Sequence, residues 1–303
     1  MGEEVRGAFQ GSPGGGQLKQ LVIAGGKGGT GKTTLAVSFL SLSEAGVLVD
    51  CDVDAPNAHL LLGPSGEEQV AGRVDGEVAR IDEATCTRCG ECEDICPFYA
   101  VQEFRVEGLF CRGCAVCTMI CPVGAISMVR RKVGDIRIAK TEYGPLVWGK
   151  LSPGEAGTGK FINALRDVGG EVAIREGAEL VIVDASAGIG CPLISSITGA
   201  DLMLAVAEPT ISGKSDLKRA LKVAGHFGVR TLVCVNQYDL HKPTAREVER
   251  MGEDMGAEPI DRIPYDPEVV RATVEGLPVA AVSDGPAARA IKKVFGMVME
   301  HLN

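Results

Sequence analysis

Leu21-Val22-Ile23-Ala24-Gly25-Gly26-Lys27-Gly28-Gly29-Thr30-Gly31-Lys32-Thr33-Thr34 is the stretch on which the fold turns. Four consecutive apolar residues read as a strand buried on both faces. A glycine-dense turn follows, and an apolar helix is expected from Thr34 to about Ser43. Residues Gly26 to Thr33 fit G-x4-G-K-[ST] in the strand-turn-helix context that the motif requires. Glycine at Gly26, Gly28, Gly29 and Gly31 lets backbone amides converge on phosphate oxygens at a helix N-terminus. Lys32 is placed to neutralise the outer phosphates of a nucleotide, and the Thr33 hydroxyl to ligate Mg²⁺. Lys27, Thr30 and Thr34 complete the nucleotide-contacting loop.

Outward from that loop, Val47-Leu48-Val49-Asp50 and Leu180-Val181-Ile182-Val183-Asp184 read as further strands, each ending in Asp. Leu202 to Ala207 and Thr231 to Asn236 add two more. Near-continuous apolar runs alternating with helical segments imply an α/β fold with a doubly wound, mostly parallel sheet. Ligands of such sheets bind beyond the carboxyl ends of the strands, where the motifs lie. About 130 residues separate Asp50 from Leu180, far more than one crossover needs. An inserted module is therefore expected at residues 76–130, dividing a P-loop domain into residues 19–75 and 131–303 behind a mobile leader at 1–18. Gly154-Glu155-Ala156-Gly157-Thr158-Gly159-Lys160 nearly repeats the phosphate motif, but Phe161 replaces the metal-binding hydroxyl and no apolar strand precedes it. It reads as a turn entering a helix.

The expected insert holds eight of the eleven cysteines. Cys86, Cys89, Cys92 and Cys96 precede Pro97; Cys111, Cys114, Cys117 and Cys121 precede Pro122. Each run is C-x2-C-x2-C-x3-C-P, the pattern of bacterial two-cluster ferredoxins, in which the fourth Cys of each run serves the other cluster. That resemblance assigns Cys86, Cys89, Cys92 and Cys121 to one [4Fe–4S] cluster and Cys96, Cys111, Cys114 and Cys117 to a second. Zinc sites also use C-x2-C pairs but do not need three close cysteines plus a remote fourth, repeated with Pro after each. Cys51 and Cys234 sit in apolar strands and read as core residues. Cys191 is expected to be a packed thiol, with a redox role as the sharper alternative.

Composition excludes several classes. With 45% hydrophobic and 23% charged residues the chain is ordinary globular protein, long enough for one α/β domain and a small module. A net charge of −9 argues against nucleic-acid binding, which needs a basic face. No apolar run reaches the length of a membrane span, and the first residues, MGEEVRGAFQGSPGGGQ, lack the order of a signal peptide. A cytoplasmic location is expected.

The KGGTGKTT form, with Lys27 near the start of the loop, resembles the deviant Walker A motif of the MinD/ParA superfamily, which includes the nitrogenase iron protein and the Mrp-type iron–sulfur carriers. The resemblance is closest to the members with an inserted ferredoxin domain and runs from about residue 19 to 303. It implies that Lys27 reaches phosphate across an ATP-dependent homodimer. It likens Asp50-Cys51-Asp52 to switch I, with Asp52 orienting water or assisting Mg²⁺. It likens Asp184-Ala185-Ser186-Ala187-Gly188 to switch II, with Asp184 holding a Mg²⁺ water. Asn236 matches the adenine-contacting Asn, and Pro264 is expected beside the base. Glu208 to Gly213 also look like that family, whereas Ala185-Ser186-Ala187 departs from its usual Pro.

ATP, Mg²⁺ and two clusters together imply an ATPase whose nucleotide state gates electron transfer to a redox partner protein. An iron–sulfur assembly carrier serving an apo-protein is the alternative, and a positioning ATPase the second. The last would put Ala287 to Leu302 on a membrane, but its apolar spacing reads better as a helix packed on the sheet.

Overall fold

Strands with no polar face must be covered on both sides, and this requirement organises the chain. The structure is a computed structural model and describes residues 18–63 and 66–303. Its strands are β1 (Lys19–Ala24), β2 (Gly46–Asp50), β3 (Gln69–Ile81), β4 (Val101–Gln102), β5 (Arg105–Val106), β6 (Ile126–Thr141), β7 (Gly144–Leu151), β8 (Leu180–Asp184), β9 (Leu202–Ala207), β10 (Thr231–Val235) and β11 (Glu258–Pro259). Every residue of β2, β8, β9 and β10 is buried.

The chain divides into two compact units. The larger comprises the described residues up to Ala71, with Ile136–Lys150 and Gly157–Asn303. Its strand order runs β11-β10-β9-β1-β8-β2-β7, followed by residues 136–141 of β6. The pairs from β11 through β7 are all parallel. The helix Lys32–Leu42 is buried nearly all round, and the helix Pro286–Leu302 buries Ala287, Ile291, Val294, Val298 and Leu302 in the same core. Phe39 and Phe295 meet there at 5.1 Å between ring centroids. That burial occupies the apolar face of the C-terminal helix, the face a membrane would have needed. Among the described residues no helix is long and apolar enough to cross a membrane.

The smaller unit is Gly72–Asp135 with Leu151–Ala156. It contains most of β3, the first part of β6 and the two-stranded β4-β5 sheet. Its limits lie a few residues outside the expected 76–130 and add a return segment. Of the expected leader, residues 1–17 lie outside the described residues; Leu18 is buried.

Replacing Ile291, 1% exposed in the core, with Ala should cost about 2–5 kcal/mol of stability. Glu300→Ala, on the exposed face of the same helix, should stay within about 0.5 kcal/mol. Urea unfolding midpoints of the two variants test this.

Candidate functional site

Parallel register gathers the motifs. Asp184 at the end of β8 is the Cα partner of Ile23 in β1 and of Asp50 in β2. The segments leaving these three adjacent strands therefore emerge at one edge: the phosphate loop, the segment around Asp52, and Asp184 to Gly188.

The loop is built to come close to something. A Cβ on Gly26 would lie 1.9 Å from the Asp216 Cβ, so only glycine fits there. Gly31 has φ 91° and caps the helix Lys32–Leu42 without any side-chain hydrogen bond. The helices Gly159–Glu176, Ile211–His226 and Pro267–Glu275 have such caps, from Thr158, Thr210 and Asp266. The first-turn amides of Lys32–Leu42 are thus left without a side-chain acceptor, which suits an anion.

Charge around the loop is unevenly met. Lys32 is buried, and its ammonium donates to the Lys27 carbonyl at 3.0 Å. Burial pushes its pKa down, opposed by Asp184, Asp52 and Glu208. Asp50 is fully buried but accepts amides from Asp52 (2.9 Å), Asn57 (3.0 Å) and Ala58 (3.1 Å), which folds the loop after β2 around its carboxylate. Burial outweighs those bonds and raises its pKa to about 6. Asp184 is 1% exposed, and neither carboxylate oxygen has a hydrogen-bond partner of normal geometry. Burial and the neighbouring Asp50 lift its pKa well above the carboxylate range, while nearby Thr33 and Lys32 pull it down. Asp52, half-buried, is raised by burial and lowered by Lys32. Lys32, Asp52, Thr33 and Asp184 therefore share one electrostatic neighbourhood.

Other residues take partners that the sequence did not indicate. Lys27 pairs with Glu208 of the same chain at 3.0 Å and donates to Ser212 at 3.4 Å. Asn236 donates its amide to the Thr30 carbonyl at 3.0 Å, bracing the phosphate loop. Pro264 lines an open cleft with Tyr238, Glu249 and Arg262, where the Arg262 guanidinium lies 5.6 Å from the Tyr238 ring centroid. Ser186 donates its hydroxyl to the Cys51 carbonyl, and the Cys51 amide bonds the Asp184 carbonyl. The near-motif at 154–160 is no second phosphate loop: Gly157 donates to Asp54 at 3.0 Å, and Thr158 caps the helix that follows. Cys51 and Cys234 are buried, and burial raises both thiols. Cys191 is exposed, contrary to the packed thiol expected, because it sits in the turn opening the helix Cys191–Ile197.

In the smaller unit the eight motif cysteines sort into two cavities. Cys86, Cys89, Cys92 and Cys121 line one; Cys96, Cys111, Cys114 and Cys117 line the other. None of the eight is in a disulfide. The two runs repeat one backbone path. Left-handed residues recur at Arg88 and Gly113, at Gly90 and Ala115, and at Tyr99 and Gly124. The Ala100 amide points at the Cys96 sulfur (3.4 Å) as the Ala125 amide points at Cys121 (3.2 Å). Arg88 and Ala79 direct amides at Cys86 and Cys111. Left-handed backbone costs non-glycine residues roughly 1–2 kcal/mol each, and such turns make concave sets of N–H groups suited to anions and Fe–S sites. Burial raises the Cys92 and Cys117 thiols, and neighbouring cysteines of the same cavity raise them further. Among the described residues no three His, Cys, Asp or Glu side chains converge on one point that would hold a single metal ion.

A buried, unpartnered carboxylate destabilises the metal-free chain, so Asp184→Asn should stabilise it by about 1–3 kcal/mol. Asp184 has a raised pKa, so the native state binds its proton more tightly than the unfolded chain does, and stability falls as pH rises above about 4 through the raised pKa. The stability gap between Asp184→Asn and the parent chain should therefore widen from pH 5 to pH 8. Urea titrations in EDTA at the two pH values measure it.

The sequence matches the CobQ/CobB/MinD/ParA nucleotide-binding domain over residues 21–279. An uncharacterised protein of Methanocaldococcus jannaschii is 36% identical over 225 residues, covering 73% of this chain and 79% of the relative. An uncharacterised ATP-binding protein of the same organism is 29% identical over 284 residues, covering 92% and 97%. An iron–sulfur cluster carrier protein of Synechocystis is 44% identical over only 69 residues, covering 21% and 20%. Among solved structures, the MinD cell division protein of Aquifex aeolicus superposes with a TM-score of 0.56 at 21% identity, covering 93% of this chain and 97% of that one. The chain belongs to the CobQ/CobB/MinD/ParA family of nucleotide-binding domains.

Proposed function

We propose that the chain is an ATPase whose nucleotide state gates electron transfer through two [4Fe–4S] clusters, held by Cys86, Cys89, Cys92 and Cys121 and by Cys96, Cys111, Cys114 and Cys117. The observation that carries this reading is the sorting of eight cysteines into two cavities, each taking its fourth member from the opposite run. A zinc ion asks for four ligands about 2–2.3 Å from one point. Amides directed at the sulfurs suit an anionic group shared among the four instead. Such clusters supply reversible one-electron chemistry at low potential.

On the nucleotide side, Lys32 and the uncapped helix amides take the phosphates. Thr33 and Asp184 hold Mg²⁺, which gives the orphaned carboxylate its partner. Asp52 orients water. Lys27 exchanges Glu208 for phosphate across an ATP-dependent dimer, and the cleft at Pro264 takes the base. Nucleotide occupancy then sets the loops after β2 and β8, the element through which binding is read out.

A second reading is an iron–sulfur carrier serving an apo-protein, favoured by the partial similarity to the Synechocystis carrier. Enclosure by four cysteines per cavity favours resident clusters over labile ones.

Anoxically purified protein should contain about eight iron and eight sulfide per chain, and Cys92→Ser should lose about half. Lys32→Ala should lower hydrolysis by about 10²-fold or more. ATP should alter the EPR signal or the potential of the reduced protein. Colourless, metal-free material that hydrolyses ATP normally would sink the proposal; chelator-sensitive cluster transfer to an apo-ferredoxin would put the carrier first.

A further inference from the structure

Both cysteine cavities are lined by apolar side chains besides their cysteines, but the surfaces beside them differ in charge. Beside Cys86 lies a polar cleft carrying Glu83, Arg88, Glu103 and Arg105, in which Arg105 pairs with Glu83 at 3.5 Å and the Arg88 guanidinium lies 5.9 Å from the Phe104 ring centroid. The other cavity is bordered by Ile95, Phe98 and Val116, all exposed, with Arg112 as its only charged lining residue. Met119, one helical turn from Val116, is 83% exposed, and Tyr99, next to Phe98, is 76% exposed. Large apolar side chains grouped round one opening mark a contact surface, unlike single exposed ones.

Tyr99 adds an independent observation. It adopts φ 51°, at the position where the sister repeat has Gly124 with φ 64°. The chain thus keeps a strained, exposed aromatic residue where its own repeat uses the unstrained glycine. Strain of this kind persists where a side chain serves something else. Arg112 is exposed, and among the described residues it has neither ion pair nor hydrogen bond.

We propose that this mouth, formed by Ile95, Phe98, Tyr99, Val116, Met119 and Arg112, docks a small acidic redox protein. The partner lays an apolar face on the patch and a carboxylate on Arg112. The inference rests on the proposed function: one electron leaves the centre behind the patch, which is oxidised, and the partner's acceptor is reduced by one, with no proton transferred. Apolar contact lets two redox proteins approach closely while excluding water. The single unmatched cation selects the sign of the partner and steers its encounter.

The test uses anoxically prepared full chain, reduced with dithionite and freed of excess reductant. Flavodoxin, an acidic FMN protein, is the probe, and basic cytochrome c is the comparison. Stopped-flow second-order rates at low salt should fall about tenfold for flavodoxin in Arg112→Glu, with little loss or a gain for cytochrome c. Tyr99→Gly combined with Met119→Ser should lower the flavodoxin rate about three- to tenfold at unchanged iron content and visible spectrum. Tyr99→Gly installs the residue of the sister repeat, so the backbone is not disturbed. Iron-replete variants that match the parent rate with flavodoxin would overturn the inference alone. Sedimentation showing that the parent self-associates and the double variant does not would assign the patch to a second copy, and overturn it too. Parent protein without iron or sulfide would overturn the proposed function, and this inference with it.

Discussion

Two carboxylates brought face to face by parallel register dominate the larger unit. Asp50 and Asp184 are Cα partners on adjoining strands, both buried and both raised in pKa by burial, and Asp50 lifts Asp184 further. Their solutions differ. Asp50 collects three backbone amides and so becomes the organiser of the loop leaving β2. Asp184 collects none, with Lys32 and Thr33 as its nearest relief. A buried charge without partners is costly, and the cost is removed by a cation or a proton. The fold thus builds in a demand for positive charge beside the phosphate loop, and the loop's bare helix amides supply the matching demand for negative charge. The magnesium nucleotide of the proposed function would meet both at once.

The smaller unit follows a different logic. It has little core: Ala79, Ala100 and Cys111 are its buried cluster, with Cys96 and Cys117 packed against it. Much of its order comes instead from a backbone path written twice, with left-handed turns at matched positions and amides directed at sulfur. A unit this small seldom holds together on apolar burial alone, and an internal group bound by eight thiolates would supply the missing cohesion.

Legibility in the sequence followed the physics of each element. β8 and β9 were readable to the residue, because strands buried on both faces are uninterrupted apolar runs. β3 and β6 were not read at all: Ile126–Thr141 mixes Arg, Lys and Asp with Val and Ile, and only part of it is buried. The short β7 was lost with them, although it adjoins β2 in the sheet. Motif residues were legible because phosphate and thiolate chemistry fix residue type and spacing. Their partners were not, since Glu208 meets Lys27 across 181 residues and Asn236 meets Thr30 across 206. No local pattern encodes such pairs; only the sheet order brings them together. Asp50 could have been noticed, as a buried Asp needs donors and the following loop offers amides.

The departure at Ala185-Ser186-Ala187 takes its meaning from the same edge of the sheet. A proline in place of Ser186 would stiffen the segment after β8 but could donate nothing. Ser186 instead gives its hydroxyl to the Cys51 carbonyl, and the Cys51 amide bonds the Asp184 carbonyl. The segments after β2 and β8 are thereby tied in both directions, side chain to backbone and backbone to backbone. Stiffness lost in one loop is replaced by a bond between two, so under the proposed function a shift of Asp184 toward a bound cation would carry the Asp52 segment with it. Stiffening one loop alone would hold each position more firmly without making the two move as a pair.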